Sequence, residues 1–396
     1  MKYRLLLLKR MLEDIVMFPF ILLGRLIAKA KPLTKEYTVF FFFPFYHTGG
    51  AEKIHSLITR TATGGNCIVF FTRKSQNQTF LSQFRDSGCQ IIDISKYTDN
   101  KALYFLNIIY RGIISGYINR QQKKPVVFNG QCNFGYKLSP WIRKDIRQLE
   151  LIHSLNSFSY IRIPFLPFIT ATIMISLQKI REHKLLYQRF GIPEELTKRI
   201  HYIPNASDFE IIDIAEKDFS QFRVFYSGRS TPEKRPHLVA AIAEKVHEKD
   251  PTIEFVMAGD SFNSLQKPEL SFIDFRGNIA DTHLLHSIYR RCNVLLITSA
   301  TEGFPLAVIE GMAYGCVILA TPVGDIPEHV KNDVNGYVFS SVEDEETIIQ
   351  EGVDLILQLK ANKALLKTIC VNNIAYAHAN FTLQQFGDAY KKLIYS

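Results

Sequence analysis

Two cations, Arg229 and Lys234, stand in Ser227-Gly228-Arg229-Ser230-Thr231-Pro232-Glu233-Lys234, a loop that opens into a helix after Pro236. A forked guanidinium, a flexible ammonium and a nearby helix N-terminus are what a diphosphate requires. Taken alone, the pair also suits a solvated turn. Two acids, Glu302 and Glu310, are separated by seven residues, the first in a loop and the second about two turns along a helix. A carboxylate accepts two hydrogen bonds side by side, which matches vicinal hydroxyls on a sugar or a ribose. Glu310 has the apolar neighbours Val308, Ile309 and Met312, so a charge there needs a partner. Glu302 has a plainer reading as an acid near a helix dipole.

These groups need elements to hold them. After Pro32 short β-branched or aromatic runs alternate with longer helical patterns, the signature of a parallel sheet with crossover helices, and the fold class is α/β. A first series of strands is expected at Val39 to Phe43, Cys67 to Phe71, Ile91 to Ile94, Val126 to Asn129, Leu149 to His153 and Ile173 to Ser176. A second follows at Arg223 to Ser227, Ile253 to Ala258, Asp274 to Arg276, Val294 to Thr298, Val317 to Thr321 and Tyr337 to Phe339. Continuous apolar runs of this kind belong to strands covered on both faces. The turn-rich stretch Tyr202 to Asp208 marks the junction between the two series. The clearest helix follows Gly303-Phe304, with Pro305 at its first position, about ten residues of length and Gly315 at its end. In open parallel sheets ligands bind beyond the carboxyl ends of the strands. Arg229 and Lys234, Gly259-Asp260, Arg276-Gly277-Asn278 and Glu302 each follow a strand and should converge on one edge. Asp260 also reads as a helix cap.

Size and charge narrow the function. A chain of 396 residues with 47% hydrophobic and 21% charged residues is an ordinary folded protein of two domains. The net charge of +9 is polarised: residues 1–200 hold 30 Lys+Arg against 12 Asp+Glu, or +18, and the remainder 17 against 26, or −9. A uniformly basic protein suggests nucleic acid, whereas a polarised one suggests a lobe facing an anionic membrane leaflet, so no nucleic acid is expected. The six cysteines are far apart and signal neither zinc nor a disulfide framework, which fits a reducing compartment. Residues 1–36 carry +5 and the wholly apolar run Ile15 to Gly24. Ten residues cannot span a bilayer. An interfacial helix is preferred, with Lys2, Arg4, Lys9, Arg10, Arg25 and Lys29 at the headgroups and Phe18, Phe20, Ile21 and Leu22 below them. The plainer alternative is a helix packed on its own domain.

The stretch Thr301-Glu302-Gly303-Phe304-Pro305-Leu306 through Glu310-Gly311-Met312-Ala313, then Gly315, Thr321, Gly324, Pro327-Glu328 and Asn335-Gly336, resembles the C-terminal signature of group 1 glycosyltransferases, the retaining glycosyltransferase family four. Gly228-Arg229 with Lys234, Ile203-Pro204-Asn205, Gly49-Gly50-Ala51-Glu52 and His153 match the same family in order. The resemblance implies a GT-B architecture, two facing Rossmann-like domains with parallel sheets and an interdomain cleft. Residues 37–205 would form the acceptor-side domain, 206–380 the nucleotide-sugar-binding domain, and 381–396 a helix packing back on the first, behind the membrane-associating segment 1–36. Family roles would give Arg229 and Lys234 the diphosphate, Glu310 the ribose hydroxyls and Glu302 the donor sugar. Amides of Gly303, Phe304 and Leu306 would approach the sugar and phosphates, and Arg276 would lie beside the base. Gly49 and Gly50 would admit the phosphates and acceptor, and His153 would hydrogen-bond the transferring sugar. Pro305, Ala206 and Gly311 depart from the usual family residues, and none removes a charged group.

The resemblance implies transfer from a nucleotide-diphosphate sugar with retention; the basic first domain and the apolar N-terminal run suggest a glycan or lipid-linked acceptor on the inner face of the cell membrane, as in bacterial cell-surface polysaccharide or lipopolysaccharide synthesis. Cations at the departing diphosphate would be the main catalytic device. No cofactor is expected, and with no D-x-D triplet no metal either. A nucleotide-sugar epimerase would share the donor contacts without using a basic lobe, and a non-catalytic membrane scaffold would have no use for the four charged groups. A glycosidase leaves the cation pair unexplained, and a dehydrogenase lacks a G-x-G-x-x-G after a strand.

Overall fold

The computed structural model describes residues 2–396 apart from 48, 63, 65, 154–156, 260–264, 266, 267 and 280, so the expected cap at Asp260 lies outside the described residues. The chain separates into two units, Met1–Pro204 with Phe386–Ser396, and Asn205–Gln385. In the first, β1 (Val39–Phe43), β2 (Cys67–Phe71), β3 (Gln90–Asp93), β4 (Val126–Asn129), β5 (Arg147–Ile152), β6 (Ala171–Met174) and β7 (Ile200–Tyr202) form one sheet in the order β3-β2-β1-β4-β5-β6-β7. In the second, β8 (Arg223–Ser227), β9 (Glu254–Ala258), β10 (Ile273–Gly277), β11 (Val294–Ile297), β12 (Val317–Ala320) and β13 (Gly336–Val338) are ordered β10-β9-β8-β11-β12-β13. The described pairings in both sheets are parallel. Strand β7 is not evident from the sequence, because three residues beside the turn at Pro204 carry no periodicity.

Both sheets reverse their winding once, between β1 and β4 and between β8 and β11. Loops leaving the carboxyl ends of two such neighbours diverge and open a crevice. The loops after β8 and β11 are those that carry Lys234 and Glu302. Interior packing fixes these edges: all five side chains of β1 are fully buried, and Phe42 stacks on Phe70 of β2 with ring centroids 5.3 Å apart.

Two expectations need correction. Cys67 and Cys89 form a disulfide. Ile68 pairs with Gln90 in the β2–β3 register, which sets the two cysteines side by side, a juxtaposition that a separation of 22 residues conceals. The helix after Phe304 runs Leu306–Ala313, eight residues, with Pro305 extended at ψ 134° as its cap. Gly315 then reverses the chain at φ +66°. The N-terminal segment is one helix, as expected, and α1 (Lys2–Ala30) passes unbroken through Pro19.

Helix α1 packs on helix Tyr104–Asn119 through small residues. A Cβ on Gly24 would meet the Ile109 carbonyl oxygen at 2.2 Å, one on Gly112 the Ile21 carbonyl oxygen at 2.3 Å, and one on Gly116 the Ala28 Cβ at 2.8 Å. Gly24-x-x-x-Ala28 against Gly112-x-x-x-Gly116 lets the two backbones touch. Ile21 is therefore buried against the protein, Arg25 donates to the Trp141 carbonyl (2.8 Å), and Arg10 lies over the Phe168 ring. None of the three occupies the bilayer position expected of it.

A buried ion pair anchors the centre of the first unit. Glu150 of β5 and Arg162 have fully buried side chains and are in contact. Thr172 donates to Glu150 Oε1 (2.6 Å), and Arg162 donates to Glu150 Oε2 (2.9 Å) and the Tyr187 hydroxyl (2.7 Å). Burial pushes the Glu150 carboxyl up, but the Arg162 charge and these donors outweigh it and hold the carboxyl below its usual range. Its contribution to stability is therefore present at neutral pH and lost as acid protonates it. Arg162→Met strands the carboxylate and should cost ~3–5 kcal/mol in urea unfolding. A loss within the scatter of surface substitutions would show that the pair holds nothing.

Candidate active site

In the second unit the loops after β8 and β11 are tied together before any ligand is considered. Ala300 N–H donates to the Glu233 carbonyl (2.7 Å), and the Thr298 hydroxyl donates to the Lys234 and Arg235 carbonyls (3.2 and 3.0 Å). Across this seam Lys234 Nζ donates to Glu302 Oε1, and Ser299 Oγ donates to the same oxygen (2.8 Å). The side chains of Lys234 and Glu302 are 21% and 12% exposed, sheltered yet reachable from water. An ammonium and a carboxylate held there, at the mouth of a helix whose first amides have no carbonyl within the helix, can bind an anion and a hydroxyl side by side.

Glu310 is buried and accepts from Ser207 Oγ (2.7 Å). The partner that its apolar surroundings demanded comes from the segment that opens this unit. Asn205 of the same segment donates to the Phe304 carbonyl (3.3 Å), so one strip of chain clamps both ends of the Glu302–Glu310 region. Phe304 is itself a core residue, its ring 4.4 Å from His329 and 5.3 Å from Phe381. Gly303 is fixed from behind, because Asp325 N–H donates to its carbonyl (2.7 Å). A Cβ on Gly324 would meet that carbonyl oxygen at 2.0 Å, and Gly324 is left-handed at φ +59°. Leu306 begins the helix.

Two expected residues stand apart. Arg229 is 65% exposed and pairs with Glu233 (3.4 Å) on its own loop. Arg276 pairs with Asp274 (2.6 Å) at the end of β10. The structure thus joins Lys234 to Glu302, seats Glu310 on the helix that follows, and leaves both guanidinia on neighbouring carboxylates.

In the first unit Gly50 opens α2 (Gly50–Ala62) at the carboxyl end of β1. Nothing lies within 4 Å of a Cβ placed there, whereas one on Gly49 would strike the Glu52 carboxylate at 2.1 Å. His153 follows β5 and receives a partner that the sequence reading missed: its Nε2 lies 3.0 Å from Nε2 of His55, on α2. His55 stacks on Phe43, centroids 4.2 Å apart, and a Cβ on Gly130 would meet its Nε2 at 2.6 Å. His153 N–H donates to Gln131 Oε1 (3.0 Å). Burial, and for His55 the nearby His153, lowers both imidazoles, His55 well below its ordinary value and His153 to about 4. Both are neutral at pH 7, and one ring can donate while the other accepts.

Two buried cations also escaped the sequence reading. Arg235, left-handed at φ +48°, donates to the carbonyls of Thr298 (2.8 Å), Val342 (2.6 Å) and Ser299 (3.2 Å). Lys217 donates to the carbonyls of Tyr314 (2.7 Å) and Tyr289 (3.3 Å). Both hold backbone in place, and only the αL turn at 235 separates that role from the one open to Lys234.

Residues 207–368 match the family model described as glycosyl transferases group 1. The chain is 30% identical over 135 residues to D-inositol 3-phosphate glycosyltransferase of Streptomyces griseus, covering 30% of this chain and 29% of that protein. It is 25% identical over 176 residues to the O-antigen biosynthesis glycosyltransferase WbnH of Escherichia coli, covering 44% and 47%. The matched stretches thus span about half or less of these curated relatives. The Anabaena protein Alr3699/HepE, crystallised with UDP and glucose, superposes with a TM-score of 0.68 at 17% identity, over 91% of this chain and 100% of that one. That likeness shows the fold, two parallel-sheet α/β units of the GT-B class. Through residues 207–368 of its second unit, therefore, the chain is similar to the group 1 glycosyl transferases.

Proposed function

We propose that this chain transfers a hexosyl-type sugar from a nucleotide-diphosphate sugar to a glycan or lipid-linked acceptor, with retention of configuration. The Lys234–Glu302 contact at the switch point of the second sheet carries the reading. As the glycosidic bond stretches, charge grows on the departing diphosphate, and a cation already in place stabilises that state more than the bound donor. Lys234 supplies it, and Arg229, on the same loop, turns from Glu233 to the same phosphates. Glu302 and Glu310 accept from hydroxyls of the sugar and the ribose. The neutral His153–His55 pair offers a hydrogen bond to the transferring sugar, and the leaving phosphate takes the acceptor proton. UDP and glucose in Alr3699/HepE support a nucleotide-sugar donor, and the O-antigen relative supports bacterial surface-polysaccharide synthesis.

The acceptor side lies at an anionic membrane. Among the described residues no helix is long and apolar enough to cross one, yet the outward face of α1 is apolar. Leu5, Leu8, Leu12, Ile15, Val16, Leu23 and Leu26 are each 47–73% exposed. They fall within one arc of about 100° that contains no charge. Lys2 and Lys9 border it on one side, Arg4 and Lys29 on the other. A helix docked through small residues and greasy outside lies in the interface plane. A nucleotide-sugar donor argues for the cytoplasmic face, and the Cys67–Cys89 bond argues against a reducing compartment.

Lys234→Ala should lower turnover with the matching nucleotide sugar about 10²–10³-fold with unchanged circular dichroism, and near-normal turnover would remove the diphosphate role. The His153 imidazole, followed by NMR, should stay neutral down to about pH 4. Because unfolded imidazoles charge near ~6.5, its burial costs stability as pH falls through that window, and titration near 6.5 would place the ring in open water. Ile15→Glu with Leu26→Glu, both outside the helix–helix seam, should weaken binding to phosphatidylcholine–phosphatidylglycerol vesicles more than tenfold, whereas unchanged binding rejects α1 as the contact.

A further inference from the structure

At the carboxyl edge of the first sheet, beside the β1–β4 reversal, lies an open cavity of about 690 Å³. Its floor is made by the residues that follow β1, β2 and β4, namely Pro44, Thr72, Gln131 and Cys132. Its walls carry four cations, Arg73, Lys101, Arg111 and Lys137, against one carboxylate among the described lining residues, Asp99. Arg73 takes that carboxylate, 3.3 Å away.

Arg111 is the informative member. It is 2% exposed, and the groups it hydrogen-bonds are neutral. Its guanidinium donates twice to Asn107 Oδ1 (3.0 and 2.7 Å), to the Tyr104 hydroxyl (3.4 Å) and to Met17 Sδ of α1 (3.4 Å). Lys137 Nζ reaches the same Tyr104 hydroxyl (3.4 Å). A buried cation calls for an anion; Asp14 and Glu13 of α1 act on Arg111 only through space, and on its cavity side stand two lysines and room to admit a further anion. The place of that cavity says what carries the anion. Arg111 touches Met17 of α1, and the lining residues Tyr104 and Ile161 are 42% and 37% exposed. Apolar surface therefore runs from the membrane-facing helix to the cavity.

We propose that this cavity binds the phosphate or diphosphate group of an acceptor whose lipid tail stays in the bilayer that α1 enters. The proposal rests on the transferase reading above and deepens it by naming the acceptor's chemical class.

The full chain is floated with phosphatidylcholine vesicles that carry either a polyprenyl diphosphate or phosphatidylglycerol at equal surface charge. The expected result is about tenfold tighter binding to the polyprenyl diphosphate, ~1.4 kcal/mol. Lys101→Gln with Lys137→Gln should abolish that preference and leave phosphatidylglycerol binding unchanged. No preference in the wild type, or a preference that survives both substitutions, overturns the proposal. So does binding of soluble inorganic diphosphate that the double variant loses without any lipid preference, which would assign the cavity to a free anion. Thermal stabilisation by UDP-glucose and other nucleotide sugars is read on the same protein. Its absence beside an intact lipid preference sinks the transferase reading and leaves the cavity standing, and the converse sinks the cavity alone.

Discussion

A parallel sheet buried on both faces leaves polar chemistry one place to go, the loops beyond the carboxyl ends of its strands. In this chain the constraint acts twice, and at the point in each sheet where winding reverses the two central loops diverge. Lys234 and Glu302, 68 residues apart, meet because β8 and β11 are neighbours. His55 and His153 meet because α2 follows β1 and His153 follows β5, one strand beyond β4. Neither contact depends on sequence proximity, and neither would survive a change in strand order.

That explains what could be read from sequence. Strands such as Val39–Phe43 and Val294–Ile297 announce themselves as unbroken apolar runs, because burial on both faces removes alternation. The Glu302–Glu310 segment was legible because a carboxylate among Val308, Ile309 and Met312 has no cheap explanation. Its partner Ser207 was not, since a hydroxyl in a turn looks like any other. Arg235 was invisible for a different reason. Next to Lys234 it reads as a second loop cation, and only a left-handed backbone at 235 sends its guanidinium to carbonyls behind the loop while Lys234 reaches Glu302 in front. His55 was hidden inside a helix pattern in which a buried histidine passes as core. The disulfide was hidden by register, which sets Cys67 beside Cys89 and leaves no trace in spacing.

Helix α1 inverts the ordinary rule for a surface helix, and the inversion is informative. Its inward face uses Gly24 and Ala28 and keeps Arg10, Asp14 and Arg25 partly covered, while its outward face carries leucine, isoleucine and valine. Packing alone explains the first half: backbones that touch at Gly24 and Gly112 have no room for large side chains. Nothing in water explains the second. Returning a half-exposed aliphatic side chain to an apolar phase is worth roughly 1 kcal/mol. Seven of them outweigh the cost of holding one helix at an interface, even before the flanking lysines meet anionic headgroups at about 1 kcal/mol each.

The same accounting separates the buried cations from one another. Arg162 has Glu150, and Arg235 and Lys217 each have several carbonyls, so their charges are met within the fold. Arg111 hydrogen-bonds one amide oxygen, a phenol and a thioether, all neutral, has Asp14 and Glu13 of α1 acting on it only through space, and faces further positive charge across the cavity. A fold that merely needed volume at 111 could fill it with leucine and lose the desolvation cost. Keeping a guanidinium there, at the end of the sheet where ligands sit and against the helix that faces lipid, is consistent with a counter-ion that arrives with the substrate.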